Sequence, residues 1–208
     1  MTRRLPPPLV ALSPGRLADG GEEAFLRALA SAVGAGLRGL VLREPSMPDR
    51  PLLALASACR RILADEAWLA IHDRVHLAGA CEADAVHLGF RSLAPEVARG
   101  LLEDRVALGL SAHADDDPAR WSGVDYLVFG PVYDTPSKRG ILAPTGAEGL
   151  ARAVERSPAP VWAIGGVAPE RVEACLASGC RGVAVLSGIL AAEDPAAACR
   201  AYLARMPA

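Results

Sequence analysis

A (β/α)8 TIM barrel is the fold class that this sequence predicts, and three observations predict it. Eight short apolar runs alternate with stretches of helical periodicity along 208 residues, a length near the lower limit for such a barrel. No Gly-x-Gly-x-x-Gly follows the first run, as a doubly wound dinucleotide-binding sheet would require. The unusual polar residues also fall just after the apolar runs, at the end where barrel enzymes keep their chemistry.

In chain order the expected strands are 9–12, 39–43, 68–71, 85–88, 106–110, 126–129, 161–164 and 182–186. Each is a short apolar run of the kind that a parallel strand buried on both faces shows. Between them, 3.6-residue periodicity predicts helices over 22–35, 49–64, 75–81, 95–102, 147–155, 169–178 and 195–205, with a weaker turn at 117–121. Pro95, Pro118, Pro169 and Pro195 sit at helix starts, where a missing N–H costs nothing. Gly36 and Gly179 follow helices as left-handed stops. With no linker or low-complexity segment, residues 1–208 read as one barrel domain.

Composition narrows the function classes. Hydrophobic residues make up 51% of the chain and charged residues 22%, which suits an ordered globular protein. A net charge of −2 gives no electrostatic case for nucleic acid. The apolar runs are too short to span a bilayer, and no apolar signal-peptide run follows the basic start of the chain. Five cysteines, odd in number and without metal spacing, read as small core residues in a reducing cytoplasm. A homo-oligomer is compatible with the sequence but not specified by it.

Lys138 is the only lysine among 22 basic residues. A lysine kept where arginine is otherwise used suggests a compact, rotatable ammonium in an anion site, which a planar guanidinium cannot replace. Thr135 and Ser137 place hydroxyl donors beside it, and Gly130 and Gly140 let the loop bend. The plain alternative is a surface turn that holds one lysine by chance.

The other strand ends offer further candidates. Gly165-Gly166 and Ser187-Gly188 follow the last two strands, where barrels bind phosphate on backbone N–H groups; tight turns alone are the alternative. Asp73 follows the third strand, as a Mg²⁺ ligand or as the N-cap of helix 75–81. Arg43-Glu44 ends the second strand, either binding an anion and moving a proton or forming a rim ion pair. His87 alternates with apolar neighbours and reads as a hydrogen-bonded interior residue, whereas His113, two residues past Ser111, is placed for proton transfer at the rim. His72 and His76 lack the glutamate of a zinc motif.

Taken in order, Leu42-Arg43-Glu44, His72-Asp73-Arg74-Val75, Val86-His87-Leu88-Gly89, Gly109-Leu-Ser-Ala-His113, Phe129-Gly-Pro-Val with Thr-Pro-Ser-Lys138, Ala163-Ile-Gly-Gly166 and Val185-Leu-Ser-Gly188 resemble the thiamine-phosphate synthase superfamily. The superfamily includes the related thiazole tautomerases, and the resemblance runs through essentially the whole chain. It implies that Thr135, Ser137 and Lys138 bind phosphate or diphosphate oxygens. It also implies that Gly166, Ser187 and Gly188 hold thiazole phosphate, that Ser111 faces the diphosphate, and that Asp73 is a magnesium ligand. The pyrimidine side departs from the synthase pattern. Gln-Leu-Arg-x-Lys becomes Val41-Leu-Arg-Glu-Pro45, the asparagine before the aspartate becomes His72, and Gly-Gln-x-Asp becomes Gly89-Phe-Arg-Ser92.

An intact thiazole side with an altered pyrimidine side leads to the expectation of a thiazole-tautomerase-like isomerase. Such an enzyme would transfer protons on the thiazole phosphate carboxylate without a cofactor. Pro131 occupies the place of the tautomerase histidine, so His113, His72 or Glu44 would supply the base, with Lys138 on the phosphate. The alternatives are a thiamine-phosphate synthase that uses Mg²⁺ and releases diphosphate, and a non-catalytic sensor of the same phosphates.

Overall fold

The computed structural model describes residues 2–135 and 140–207. Among them, eight parallel strands close into a barrel in sequence order. They are β1 (Leu9–Leu12), β2 (Gly39–Leu42), β3 (Trp68–His72), β4 (Ala85–Leu88), β5 (Ala107–Ala112), β6 (Tyr126–Phe129), β7 (Val161–Ile164) and β8 (Gly182–Val185). Around them run α1 (Glu22–Gly34), α2 (Asp49–Leu63), α3 (Pro95–Leu101), α4 (Gly146–Arg156), α5 (Val172–Ala177) and α6 (Pro195–Leu203). The barrel expectation is met, with strand ends shifted by a residue or two. The largest shift is at β5, which runs on to Ala112 and so carries Ser111 inside the strand.

Two helix expectations are corrected. The segment from 75 makes only a 3-10 turn, Val75–Leu77. Gly79 lies in the turns that follow, and left-handed Glu82 (φ 50°) returns the chain to β4, leaving no room for a full helix. The predicted helix 169–178 is a 3-10 turn, Pro169–Arg171, running into the short α5.

Side chains on the strands alternate between two apolar layers. Leu9, Ala11, Leu40, Leu42, Leu69, Ile71, Leu127 and Phe129 pack outward against the helices, while Val10, Val41, Trp68, Ala70, Ala85, Tyr126, Trp162 and Ala184 fill the barrel. Three large rings crowd the interior, and each is paired across the sheet with a glycine: Trp68 with Gly39, Tyr126 with Gly109, and Trp162 with Gly182. A side chain at Gly109 would fall inside the Tyr126 ring. The empty neighbour lets the three rings meet edge to face, Trp68–Tyr126 at 5.8 Å and Tyr126–Trp162 at 5.9 Å between centroids.

The N-terminal end of the barrel is closed by a repeated charge clamp. Arg60 at the end of α2 donates to the Ala67 carbonyl and to Asp84, whose same oxygen accepts the Leu69 N–H. Two strands on, Arg99 of α3 donates to the Val106 carbonyl and to Asp125, which accepts the Leu108 N–H. The N-terminal segment lies across both units, with Arg4 on Asp84 and Arg3 on Asp125, each at 3.0 Å. Trp68 and Trp162 donate their indole N–H groups to the carbonyls of Arg4 and Pro7.

Candidate functional site

Strand alternation selects which side chains reach the C-terminal mouth. Trp68, Ala70 and His72 share one face of β3, as Ala107, Gly109 and Ser111 share one face of β5. His72 and Ser111 are therefore the topmost residues of two interior columns, and His87 on β4 stands beside them. His87 is fully packed, with Nε2 2.9 Å from Ser111 Oγ and Nδ1 3.3 Å from the Tyr126 hydroxyl. Its ring stacks on Tyr126 and lies 6.3 Å from that of His72. As the sequence suggests, His87 is a hydrogen-bonded interior residue.

Charge at this mouth is set by burial and by Arg43. Burial, reinforced by the Arg43 guanidinium, lowers the His72 pKa to about 4. Burial followed by His72 and Arg43 lowers that of His87 to about 3. Both rings are neutral near pH 7, so His72 makes a weak base there. His113 sits half-buried at the end of β5, and its Nδ1 is 2.6 Å from the Gly130 carbonyl. A carbonyl only accepts, so Nδ1 carries a proton, and Nε2 has no hydrogen-bond partner among the described residues. The backbone N–H of His113 is held by Asp116.

Arg43 and Glu44, adjacent in sequence, part company. The Glu44 carboxylate is buried, accepting the Gly15 N–H on Oε1 at 2.9 Å and the Leu17 N–H on Oε2 at 2.7 Å. Both oxygens brace the loop after β1, which corrects the proton-shuttle expectation for Glu44; no ion pair joins it to Arg43. The Arg43 backbone N–H donates to buried Ser13, while its guanidinium runs over Gly15 and donates to no protein acceptor among the described residues.

Asp73 is left-handed (φ 70°), its N–H bonded to the His87 carbonyl at 3.0 Å. Non-glycine residues at positive φ are uncommon and tend to gather at functional positions. The N-cap alternative is corrected: Arg74, not Asp73, precedes the Val75–Leu77 turn, and no side chain caps it. The Asp73 carboxylate accepts no hydrogen bond from the described residues. No three His, Cys, Asp or Glu side chains among those residues converge as metal ligands. One unpaired carboxylate still suits Mg²⁺, which takes one or two from protein and completes its shell with water and substrate phosphate.

The loops after β6, β7 and β8 stand together. Gly165 (φ 93°) and Gly166 (φ 63°) turn against Pro131 and Tyr133, and a side chain at Gly166 would overlap the Asp134 carbonyl. Only glycine allows this approach. Val132 N–H and Tyr133 N–H donate to the carbonyls of Ile164 and Gly165, tying the β6 loop to the β7 loop. Ser187 and Gly188 are exposed after β8, and Thr135 is half-buried at the last described position before the break. Ser137 and Lys138 lie outside the described residues.

Several site residues escape the sequence reading. Arg171 donates to the Gly166 carbonyl at 2.7 Å, with its guanidinium 4.5 Å from the Tyr133 ring centroid. Gly89, Phe90, Leu110, Ser111, His113, Asp116 and Arg120 line a narrow pocket. Pro169 and the Asp-rich run after His113 were the only local signals for Arg171 and Asp116, and neither specifies a partner. A side chain at Gly89 would meet His72 Nε2 at 2.8 Å, so glycine there gives the imidazole its room.

Comparison with known proteins agrees with the barrel fold. The sequence profile described as thiamine monophosphate synthase matches residues 10–189. A thiamine-phosphate synthase from Moorella thermoacetica is 36% identical over 184 residues, covering 87% of this chain and 88% of the relative. Another from Albidiferax ferrireducens is 38% identical over 173 residues, covering 82% and 79%. A solved thiamine phosphate pyrophosphorylase from Pyrococcus furiosus superposes with a TM-score of 0.82 at 28% identity, covering 95% of this chain and 94% of that one. The chain belongs to the thiamine monophosphate synthase family of thiamine-biosynthesis enzymes. The two sequence relatives are named as synthases, which are transferases, and the expectation of tautomerase chemistry is corrected accordingly. The altered pyrimidine motifs are local departures, whereas the likeness to synthases extends along most of the chain.

Proposed function

We propose that this protein is a thiamine-phosphate synthase, coupling hydroxymethylpyrimidine diphosphate to thiazole phosphate with release of diphosphate. The observation that carries the proposal is the open charge at the C-terminal mouth, where the Arg43 guanidinium and the Asp73 carboxylate make no hydrogen bond to the described residues. Whole-chain likeness to synthases supports it. In this reading the C–O bond to diphosphate breaks with both electrons going to oxygen, and the thiazole nitrogen donates its pair to the methylene carbon.

The chain's own groups supply the setting. The Arg43 guanidinium and the Lys138 ammonium offset charge on the departing diphosphate, with the hydroxyls of Ser111, Thr135 and Ser137 as donors. Backbone N–H groups around Gly165-Gly166 and Ser187-Gly188 hold the thiazole phosphate. Asp73 would hold Mg²⁺ together with substrate oxygens, and the ion would add electrostatic stabilisation of the leaving group. The chain contains neither Asn nor Gln, so no side-chain amide reads the aminopyrimidine edge. Neutral His72 offers one ring donor and one acceptor in place of that amide. Five buried, free thiols support a reducing cytoplasm as the place of work.

The test is to incubate the protein with both substrates, with and without Mg²⁺, and to follow thiamine phosphate and diphosphate. Product requiring both substrates and the metal is expected. No product at saturating substrate would sink the proposal.

A further inference from the structure

We propose that Tyr126 and His87 form a one-way hydrogen-bond relay that turns the Ser111 hydroxyl hydrogen out of the barrel, toward the bound diphosphate. This rests on the proposed function for the identity of the anion, but the relay follows from donors and acceptors alone.

Three groups lie in line, the Tyr126 hydroxyl 3.3 Å from His87 Nδ1 and His87 Nε2 2.9 Å from Ser111 Oγ. The buried His87 ring has two hydroxyls and no carboxylate as side-chain hydrogen-bond partners among the described residues, so nothing there offsets a charge and one ring nitrogen donates while the other accepts. Two arrangements are open. In the first, Tyr126 O–H donates to Nδ1, Nε2–H donates to Ser111 Oγ, and the serine hydrogen is left for the site. In the second, Ser111 O–H donates to Nε2, Nδ1–H donates to the Tyr126 oxygen, and the tyrosine hydrogen needs another acceptor.

The surroundings of Tyr126 decide between them. Its ring is wholly buried between Trp68 and Trp162 and against Gly109, and among the described residues its hydroxyl has no hydrogen-bond partner other than His87. Burial also keeps the phenol protonated, with Asp125 adding to the effect. The second arrangement therefore strands a buried donor, whereas the first satisfies every buried polar atom in the line. A buried unsatisfied donor favours the first by roughly tenfold to a hundredfold in population.

The outcome matters at Ser111, which lines the narrow pocket with Gly89 and His113. In the first arrangement the hydroxyl meets an anion with its hydrogen, and in the second with lone pairs. Tyr126 and His87 touch no substrate in this scheme and are positioning residues. Sequence alternation reveals His87 as interior, but the direction of the relay comes from the aromatic enclosure around Tyr126.

The test reads the tautomer directly. Long-range ¹H–¹⁵N spectra of histidine-labelled protein near pH 8 should show His87 protonated at Nε2 and bare at Nδ1. His113, bonded to a carbonyl through Nδ1, supplies the opposite pattern as an internal reference, and the His87 signals are assigned by their loss in H87Q. An Nδ1–H tautomer, or an even mixture, would overturn the relay. Kinetics give a second arm. Tyr126→Phe keeps the ring and should lower kcat/KM for coupling about tenfold, with a larger loss for Ser111→Ala. The double variant should be no worse than Ser111→Ala within about twofold, because the relay acts only through that serine. Multiplicative losses would instead make Tyr126 a packing residue and overturn the proposal. Should the parent show no coupling at all, the proposed reaction fails, and the tautomer measurement still decides the relay.

Discussion

At the N-terminal end of the barrel, Asp84 and Asp125 each accept three hydrogen bonds, from an arginine of the preceding helix, a strand N–H and an arginine of the N-terminal segment. At the C-terminal end, Asp73 accepts none from the described residues and Arg43 donates no side-chain hydrogen bond to them. Both ends use the same residue types. They differ in whether the chain supplies the partner. Charges paired by the fold contribute to stability, and charges left open on a rigid frame are available to a charged ligand. The division predicts that substitutions at the two ends affect different measurements.

The largest effect is expected at the closed end. Asp84→Ala strands the half-buried Arg60 guanidinium and the Leu69 N–H, and should cost about 3 kcal/mol of stability in urea unfolding. The variant that remains folded should keep its kcat/KM. An equal loss of activity would dissolve the distinction between the ends.

At the open end, Asp73→Asn should do the reverse. Asparagine tolerates the left-handed backbone, so the unfolding midpoint should hardly move. Coupling should fall at least about a hundredfold, together with its magnesium dependence. Full magnesium-dependent turnover by this variant would remove Asp73 from the mechanism.

Lys138→Arg keeps the charge but replaces a compact donor with a longer fork. A loss of about tenfold in kcat/KM, or about 1.4 kcal/mol, is expected, with Lys138→Met worse and neither variant less stable. Parent-like activity in the arginine variant would return this loop to the status of a surface turn.

The smallest effect sharpens the comparison through pH. His72 and His87 titrate at about 4 and about 3 when folded, against an ordinary value of 6.5. Between these values the unfolded chain binds protons that the folded chain refuses, so stability should fall as pH drops below about 6.5 toward 3. Thermal unfolding midpoints across this window check the sign. A stability that rises on acidification would mean that the two rings are not held neutral.

Much of the frame is legible in the sequence because buried parallel strands carry their own signature. The alternation that exposes His87 as an interior residue also gives the strand ends within a residue or two. Gly166 reads as part of an anion cradle, but only the structure shows that a side chain there would overlap the Asp134 carbonyl. Loss of phosphate binding in a Gly166 variant would therefore report steric damage as readily as a lost contact. Glu44 is likewise ambiguous in the sequence. Beside Arg43 in the chain it looks like half of a functional pair, yet its partners are backbone amides about thirty residues away, in the loop after β1.

The sequence by itself determined the order of strands and helices, the end of the barrel where polar residues collect, and the family motifs from Leu42 to Gly188. These are local properties, written in period, spacing and residue type. The tertiary structure decided which charges are closed and which stay open among the described residues, that each large interior ring faces a glycine, and that Asp73 is not a helix cap. Those outcomes depend on cross-strand register and on loops brought together by closure of the barrel. A hydrogen-bond partner on another strand leaves no periodic trace in the chain that carries it.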